Sequence, residues 1–116
     1  MLSVVAKANA KEYADAFKLC NEVLVKSPDN YTALYQYGRT ASVSGQNLER
    51  GLAGLKKCLT LTRPGPSAPR PTNVWFRIGV IQEKLGHPAD ARQAYETALQ
   101  LDRGSKQASD ALANLK

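Results

Sequence analysis

Two stretches of the chain repeat one another: LYQYGRTASVSG (Leu34 to Gly45) and WFRIGVIQEKLG (Trp75 to Gly86). A self-similar chain of this length admits few folds. Each stretch opens on a large apolar residue, reaches a glycine four residues on, and a second glycine seven residues later. Each is followed by an amphipathic stretch of one pattern, small–x–x–x–bulky–x–x–small–Leu. These are GLAGLKKCL (Gly51 to Leu59) and ARQAYETAL (Ala91 to Leu99), and an earlier copy stands at AFKLCNEVL (Ala16 to Leu24). Spacings of three and four place such residues on one face of a helix. Tyr13, Ala16, Phe17, Cys20, Val23 and Leu24 form one such face, and Leu48, Gly51, Leu52, Leu55, Cys58 and Leu59 another. Trp75, Ile78, Gly79, Gln82 and Leu85 form a third, with Gln82 as its polar intruder. Nothing alternates with period two over a useful length, so the fold class expected is all-α.

The punctuation divides the chain in the same way. Gly45 and Gly86 stand where helices end, a place that favours the left-handed conformation glycine tolerates. Pro88 suits the first turn of the helix after Gly86. Asp29 or Asn30, Thr72 and Ser105 are the residue types that cap helix starts. The expected helices are 2–9, 12–26, 31–44, 48–62, 73–85, 88–101 and 105–115. Gly38 and Gly79 fall mid-helix, where each costs about 1 kcal/mol relative to Ala. The expectation is that close helix crossing offsets that cost. Trp75 reads as a packing residue.

With these residues in register, the chain resembles the tetratricopeptide repeat (TPR) family, whose unit is a helix pair of roughly 34 residues. Trp75, Ile78, Gly79, Gly86, Ala91, Tyr95, Ala98 and Leu99 match a complete repeat, departing at Gln82 and at Arg103, where Pro is usual. Leu34, Tyr37, Gly38, Ala41, Gly45, Leu55 and Cys58 match a second. Tyr13, Ala16, Cys20, Val23, Leu24 and Pro28 match the second half of a first. The resemblance implies a right-handed α-solenoid of antiparallel helix pairs, about two and a half repeats plus a C-terminal capping helix. Its expected parts are a partial repeat 1–30, a repeat 31–65, a Pro-rich insertion 66–71, a repeat 72–105 and a capping helix 105–116. The insertion accounts for most of an excess spacing between Gly38 and Gly79. One extra residue fits within GQNLERG and six in the loop Arg63 to Asn73, which holds four of the six prolines. Those prolines favour an extended, polyproline-like path. A short opening helix points to a fragment of a longer array.

Composition narrows function. Lys and Arg number 16 against 10 Asp and Glu, a net charge of +6, with 43% hydrophobic residues. That is a globular composition, not a disordered, fibrous or membrane-spanning one. The opening stretch has no basic n-region and no long apolar core, so no signal peptide is visible and a soluble, cytoplasmic protein is expected. Cys20, Cys58 and His87 lie far apart, too few and too scattered for a zinc site. Both cysteines sit on apolar faces and read as inert core thiols. No glycine loop has phosphate-binding spacing, and Asp15, Glu22, Glu49, Glu83, Asp90 and Glu96 form no pair. The sequence therefore reads as a non-enzyme without metal or cofactor. The sequon at Asn30-Tyr31-Thr32 falls at a helix start and reads as chance.

The resemblance implies a peptide groove lined by the first helix of each pair. By register its residues are Thr32, Tyr35, Arg39, Ser42 and Val43 on one helix, and Asn73, Phe76, Val80, Glu83 and Lys84 on the next, with Arg77 beside them. Tyr35 and Phe76 occupy equivalent places and are expected to be exposed anchors flanked by Arg39, Arg77 and Lys84, the residue types of binding hot spots. The opposing expectation is that they pack against a neighbouring repeat. The carboxylate clamp of some TPR domains is not assigned, because Asn73 stands where Lys is expected and Gln36 where Asn is expected. The function expected is a protein–protein interaction module, part of a larger protein or complex, existing as a monomer or weak homo-oligomer. The alternatives are self-association and a basic surface for nucleic acid or another anion, centred on Lys56, Lys57, Arg63 and Arg70.

Overall fold

The computed structural model describes residues 2–115, with side chains from residue 12 onward. Six helices follow one another: α1 (Leu2–Lys26), α2 (Tyr31–Ser44), α3 (Leu48–Thr60), α4 (Pro71–Lys84), α5 (Pro88–Leu101) and α6 (Lys106–Asn114). No strand occurs among the described residues. The α4–α5 and α2–α3 pairs pack most extensively, α1 and α3 close the flanks of α2 and α4, and α6 covers α5. The helices that open successive pairs, α2 and α4, touch directly. This is the all-α, TPR-like solenoid expected from the repeat.

The largest departures from the expected boundaries are in α1 and α4. One helix, α1, replaces the two expected over 2–9 and 12–26. The residues between, Ala10 and Lys11, are strong helix formers, and no Gly or Pro interrupts them. The helix expected from residue 73 begins at Pro71, whose fixed φ suits a first helical position. Thr72 consequently lies inside α4 and is not its cap. Its hydroxyl donates to the Ala98 carbonyl at 2.9 Å, tying α4 to α5. Elsewhere the caps are those expected: Asn30 accepts from the Ala33 amide and Ser105 from the Ala108 amide. Gly45 and Gly86 adopt φ of 75° and 82°. At Gly86 the amides of Gly86 and His87 bond back to the carbonyls of Glu83 and Gln82, closing α4 with a Schellman motif.

Mid-helix glycines permit the two closest crossings. A Cβ on Gly38 would lie 2.6 Å from Leu55 Cδ2, and one on Gly79 2.6 Å from Tyr95 Cδ1. No Cβ sits that close to another heavy atom, so Leu55 and Tyr95 take the space glycine vacates. Both are fully buried, with Ala41, Val74, Ile81, Ala91 and Ala98 around them. Phe17 carries the core into α1, its ring 4.8 Å from that of Tyr37. Trp75 is half-buried against this core. Gln82, the polar intruder, is buried with its side-chain oxygen accepting from His87 Nδ1 at 2.8 Å. Val23, placed by periodicity on the apolar face of α1, is instead 41% exposed.

Two connections bear on the excess spacing. Asn47, between α2 and α3, adopts a φ of 52°. The other connection is 61–70. That connection is not extended throughout: the Ala68 amide donates to the Gly65 carbonyl at 3.1 Å, making a turn with Pro66 at its second position. The Tyr31 hydroxyl donates to the Pro69 carbonyl at 2.7 Å, and Arg70 reaches Asp102 at 3.2 Å. The loop is pinned at its end, where it enters α4.

Gly79→Leu should destabilise the chain by about 1–3 kcal/mol through overpacking against Tyr95, read as a lower midpoint in thermal circular dichroism; an unchanged midpoint would contradict the crossing. Tyr31→Phe removes the staple on the loop and should lower the urea midpoint by the equivalent of about 0.5–1.5 kcal/mol with an unchanged m-value.

Candidate functional site

The residues expected to line a groove divide into two groups once α2 and α4 are side by side. On α2, Thr32, Arg39 and Val43 are exposed. Tyr35 is only 7% exposed and Ser42 1%. The exposed-aromatic expectation is therefore corrected for Tyr35, which belongs to the core cluster. Neighbouring helices cover a position one residue off the core stripe, because α2 is flanked by α1, α3 and α4 together. On α4, Asn73, Phe76, Arg77 and Val80 are half-buried, and Glu83 and Lys84 are exposed.

Ser42 and Arg77 join the two helices. The Ser42 hydroxyl donates to the Arg39 carbonyl at 2.7 Å and accepts from Arg77 Nη1 at 3.4 Å. The guanidinium carbon of Arg77 lies 5.1 Å from the centre of the Phe76 ring, within cation–π range. Arg77 Nε is buried with no hydrogen-bond partner among the described residues. The guanidinium is thus held at the α2–α4 seam on one hydrogen bond and one ring face.

Phe76 is backed by Tyr95, ring centres 5.9 Å apart and tilted by 38°. The Tyr95 hydroxyl in turn donates to Glu83 Oε1 at 2.7 Å. Burial, then the adjacent Glu83 carboxylate, raises the Tyr95 pKa above the ordinary phenol value, so the hydroxyl stays a donor. Glu83 is therefore fixed by a core residue of α5. Sequence reasoning missed both the Ser42–Arg77 and the Tyr95–Glu83 contacts. Each joins two different helices, so helical periodicity within one helix carries no signal for it.

Arg77 and Lys84 bring cations to this face on α4, and Arg39 adds one on α2. Of the four bases expected to make an anion surface, two are engaged elsewhere. Lys57 pairs with Asp29 at 2.7 Å and Arg70 with Asp102 at 3.2 Å. The acidic residues Asp15, Glu22, Glu49, Glu83, Asp90 and Glu96 are all exposed. Among the described residues no three His, Cys, Asp or Glu side chains gather into a metal-binding group. No helix among them is long and apolar enough to cross a membrane.

Both cysteines are free and buried. Burial raises the Cys58 thiol from an ordinary 9.0 to about 11, and its Sγ donates to the Tyr31 carbonyl at 3.5 Å. Burial raises Cys20 as well. The sole histidine is occupied with Gln82.

Against known proteins, the tetratricopeptide repeat family matches at residues 72–105, which span α4, α5 and the turn into α6. No curated protein matches the chain.

At pH 8 a thiol with a pKa about three units higher is ionised in roughly one molecule per thousand, and only the thiolate reacts. Cys58 should therefore resist an aromatic disulfide reagent in the native state and label promptly in urea. Rapid native labelling would show that the α2–α3 core opens readily.

Proposed function

We propose that this chain, a tetratricopeptide repeat protein, binds a peptide segment of a protein partner along the face made by α2 and α4. Repeats of this family generally mediate protein–protein interaction and are typically non-catalytic. The observation that carries the reading to particular residues is the Phe76–Arg77 pair, an aromatic ring and a guanidinium held together at the seam of two adjacent helices. Both are half-buried, so each keeps an accessible surface while its position is fixed from behind by Tyr95 and Ser42. Preorganised aromatic and Arg side chains concentrate binding energy because little rotamer freedom remains to be lost.

Around this centre, Thr32, Arg39 and Val43 from α2 and Asn73, Val80, Glu83 and Lys84 from α4 form the surrounding contacts. Arg77 has donors beyond the one used by Ser42, and they favour a carboxylate or backbone carbonyl of the peptide. Tyr35 and Ser42 act from below the surface, one by filling the core and one by holding Arg77. Their substitution would change the scaffold before it changed binding.

Peptides selected from a random library displayed against the whole chain test this reading. Phe76→Ala should weaken their binding by roughly tenfold or more, the scale of a hot-spot truncation. Arg39→Glu should weaken acidic peptides preferentially. Selected peptides that bind both variants as tightly as the parent would place recognition elsewhere. Circular dichroism of each variant separates lost contacts from lost fold.

A further inference from the structure

A second concavity lies on a different part of the molecule. It opens between the C-terminal end of α1 and the middle of α3, over α2, with a volume of about 300 Å³. Leu24, Leu34, Tyr37 and Gly54 make an apolar floor, and Arg50 and Lys57 stand at its edge. None of the ten residues expected in the groove lines it. The next repeat contains the equivalent cleft between α3 and α5, where Trp75, Ile78, Ala94 and Asp90 take the places of Leu34, Tyr37, Gly54 and Arg50. That cleft holds about 190 Å³. Ligand pockets begin near 300 Å³ in size, so the first cleft reaches the range and the second does not.

Two lining positions carry a smaller residue in the first cleft than in the second. Leu34 is smaller than the Trp75 indole at the signature position. Gly54 lacks the methyl that Ala94 carries. Gly38 is required by packing, whereas a Cβ on Gly54 would meet α2 at ordinary contact distance, the Leu34 carbonyl oxygen at 3.4 Å and Leu34 Cδ2 at 3.5 Å.

The charge at the edge also changes sign between repeats. Arg50 stands where the second cleft has Asp90. Its guanidinium carbon lies 4.9 Å from the centre of the Tyr37 ring, which forms part of the floor. Among the described residues no carboxylate lies within ion-pair distance of Arg50. Lys57 is anchored beside it by Asp29 at 2.7 Å and by the Pro28 carbonyl at 3.2 Å. An apolar floor under an unneutralised cation complements a ligand that carries an apolar group beside negative charge.

We propose that this cleft is a second binding site, taking one apolar side chain of an acidic peptide segment whose carboxylates meet Arg50. The aliphatic side chain fills the space between Leu24, Leu34 and Gly54, and the flanking carboxylate replaces water at the Arg50 guanidinium. The site stands apart from the α2–α4 face and does not depend on that face binding anything.

The test is a titration of the isotope-labelled whole chain, followed by amide chemical shifts, with a blocked peptide bearing a central leucine flanked by glutamates. A control peptide carries lysines in place of the glutamates. Saturable shifts at Leu34, Ala53, Gly54 and Lys57 are expected with the acidic peptide and not with the lysine peptide. Arg50→Glu should weaken binding roughly tenfold, since a charge at a recognition edge is reversed. Leu34→Trp, which copies the next repeat, should abolish it. If Leu34→Trp fails to fold, Ala53→Leu fills the cleft from an exposed position on α3 in its place. Shifts that survive in the filled variant, an equal response to the lysine peptide, or no response at these amides would overturn the proposal. Shifts confined to α4 around Phe76 would overturn it too, while leaving the groove reading intact.

Discussion

Leu55 and Tyr95 occupy space that any side chain on Gly38 or Gly79 would need, and the architecture follows from those two crossings. Glycine weakens each helix by about 1 kcal/mol relative to Ala. In return the two helices of a pair meet at contact distance, and the bulky residue becomes fully buried. Once each pair is closed in this way, the opening helices α2 and α4 have only one way to lie, against each other. Their outer face carries Phe76 and Arg77, both half-buried.

The crossings also support the residues of the candidate groove from behind. Tyr95 is at once the ring that fills the space beside Gly79, the support of Phe76 and the donor to Glu83. A single α5 side chain therefore transmits core packing to the candidate groove. Ser42 does the same from α2 by holding Arg77. The protein's basic excess is correspondingly dispersed: part is consumed in the ion pairs of Lys57 and Arg70, part is held at the α2–α4 seam, and Arg50 is left over its aromatic ring.

The helix register was legible because it depends on local periodicity, and small residues at fixed spacing have a simple steric meaning. Gly38, Gly79, Gly45 and Gly86 were readable in this way, as were the caps at Asn30 and Ser105. Burial at positions off the main stripe was not. Tyr35 and Val23 each sit one residue from where a two-helix picture would place the boundary, and which side they fall on depends on a third helix. The loop turn at Gly65–Ala68 and the entry of Pro71 into α4 were hidden for a related reason. Proline restricts φ but does not say whether the chain ahead turns, extends or begins a helix. The cleft beneath Arg50 had a signal, Leu34 and Gly54 against Trp75 and Ala94. It becomes meaningful only when the two repeats are superposed in space.

Steric exclusion at the glycine crossings, and not glycine's flexibility, sets the fold. A double-mutant cycle of Gly79→Ala with Tyr95→Leu, measured by equilibrium urea unfolding, tests it most directly. In the parent chain Gly79→Ala should destabilise, although Ala favours the helix by about 1 kcal/mol, because its methyl meets the Tyr95 ring. With Tyr95→Leu already in place, the same substitution should turn neutral or stabilising, giving a coupling energy of about 0.5–3 kcal/mol between the two positions. A Gly79→Ala change that stabilises both backgrounds equally would contradict the account.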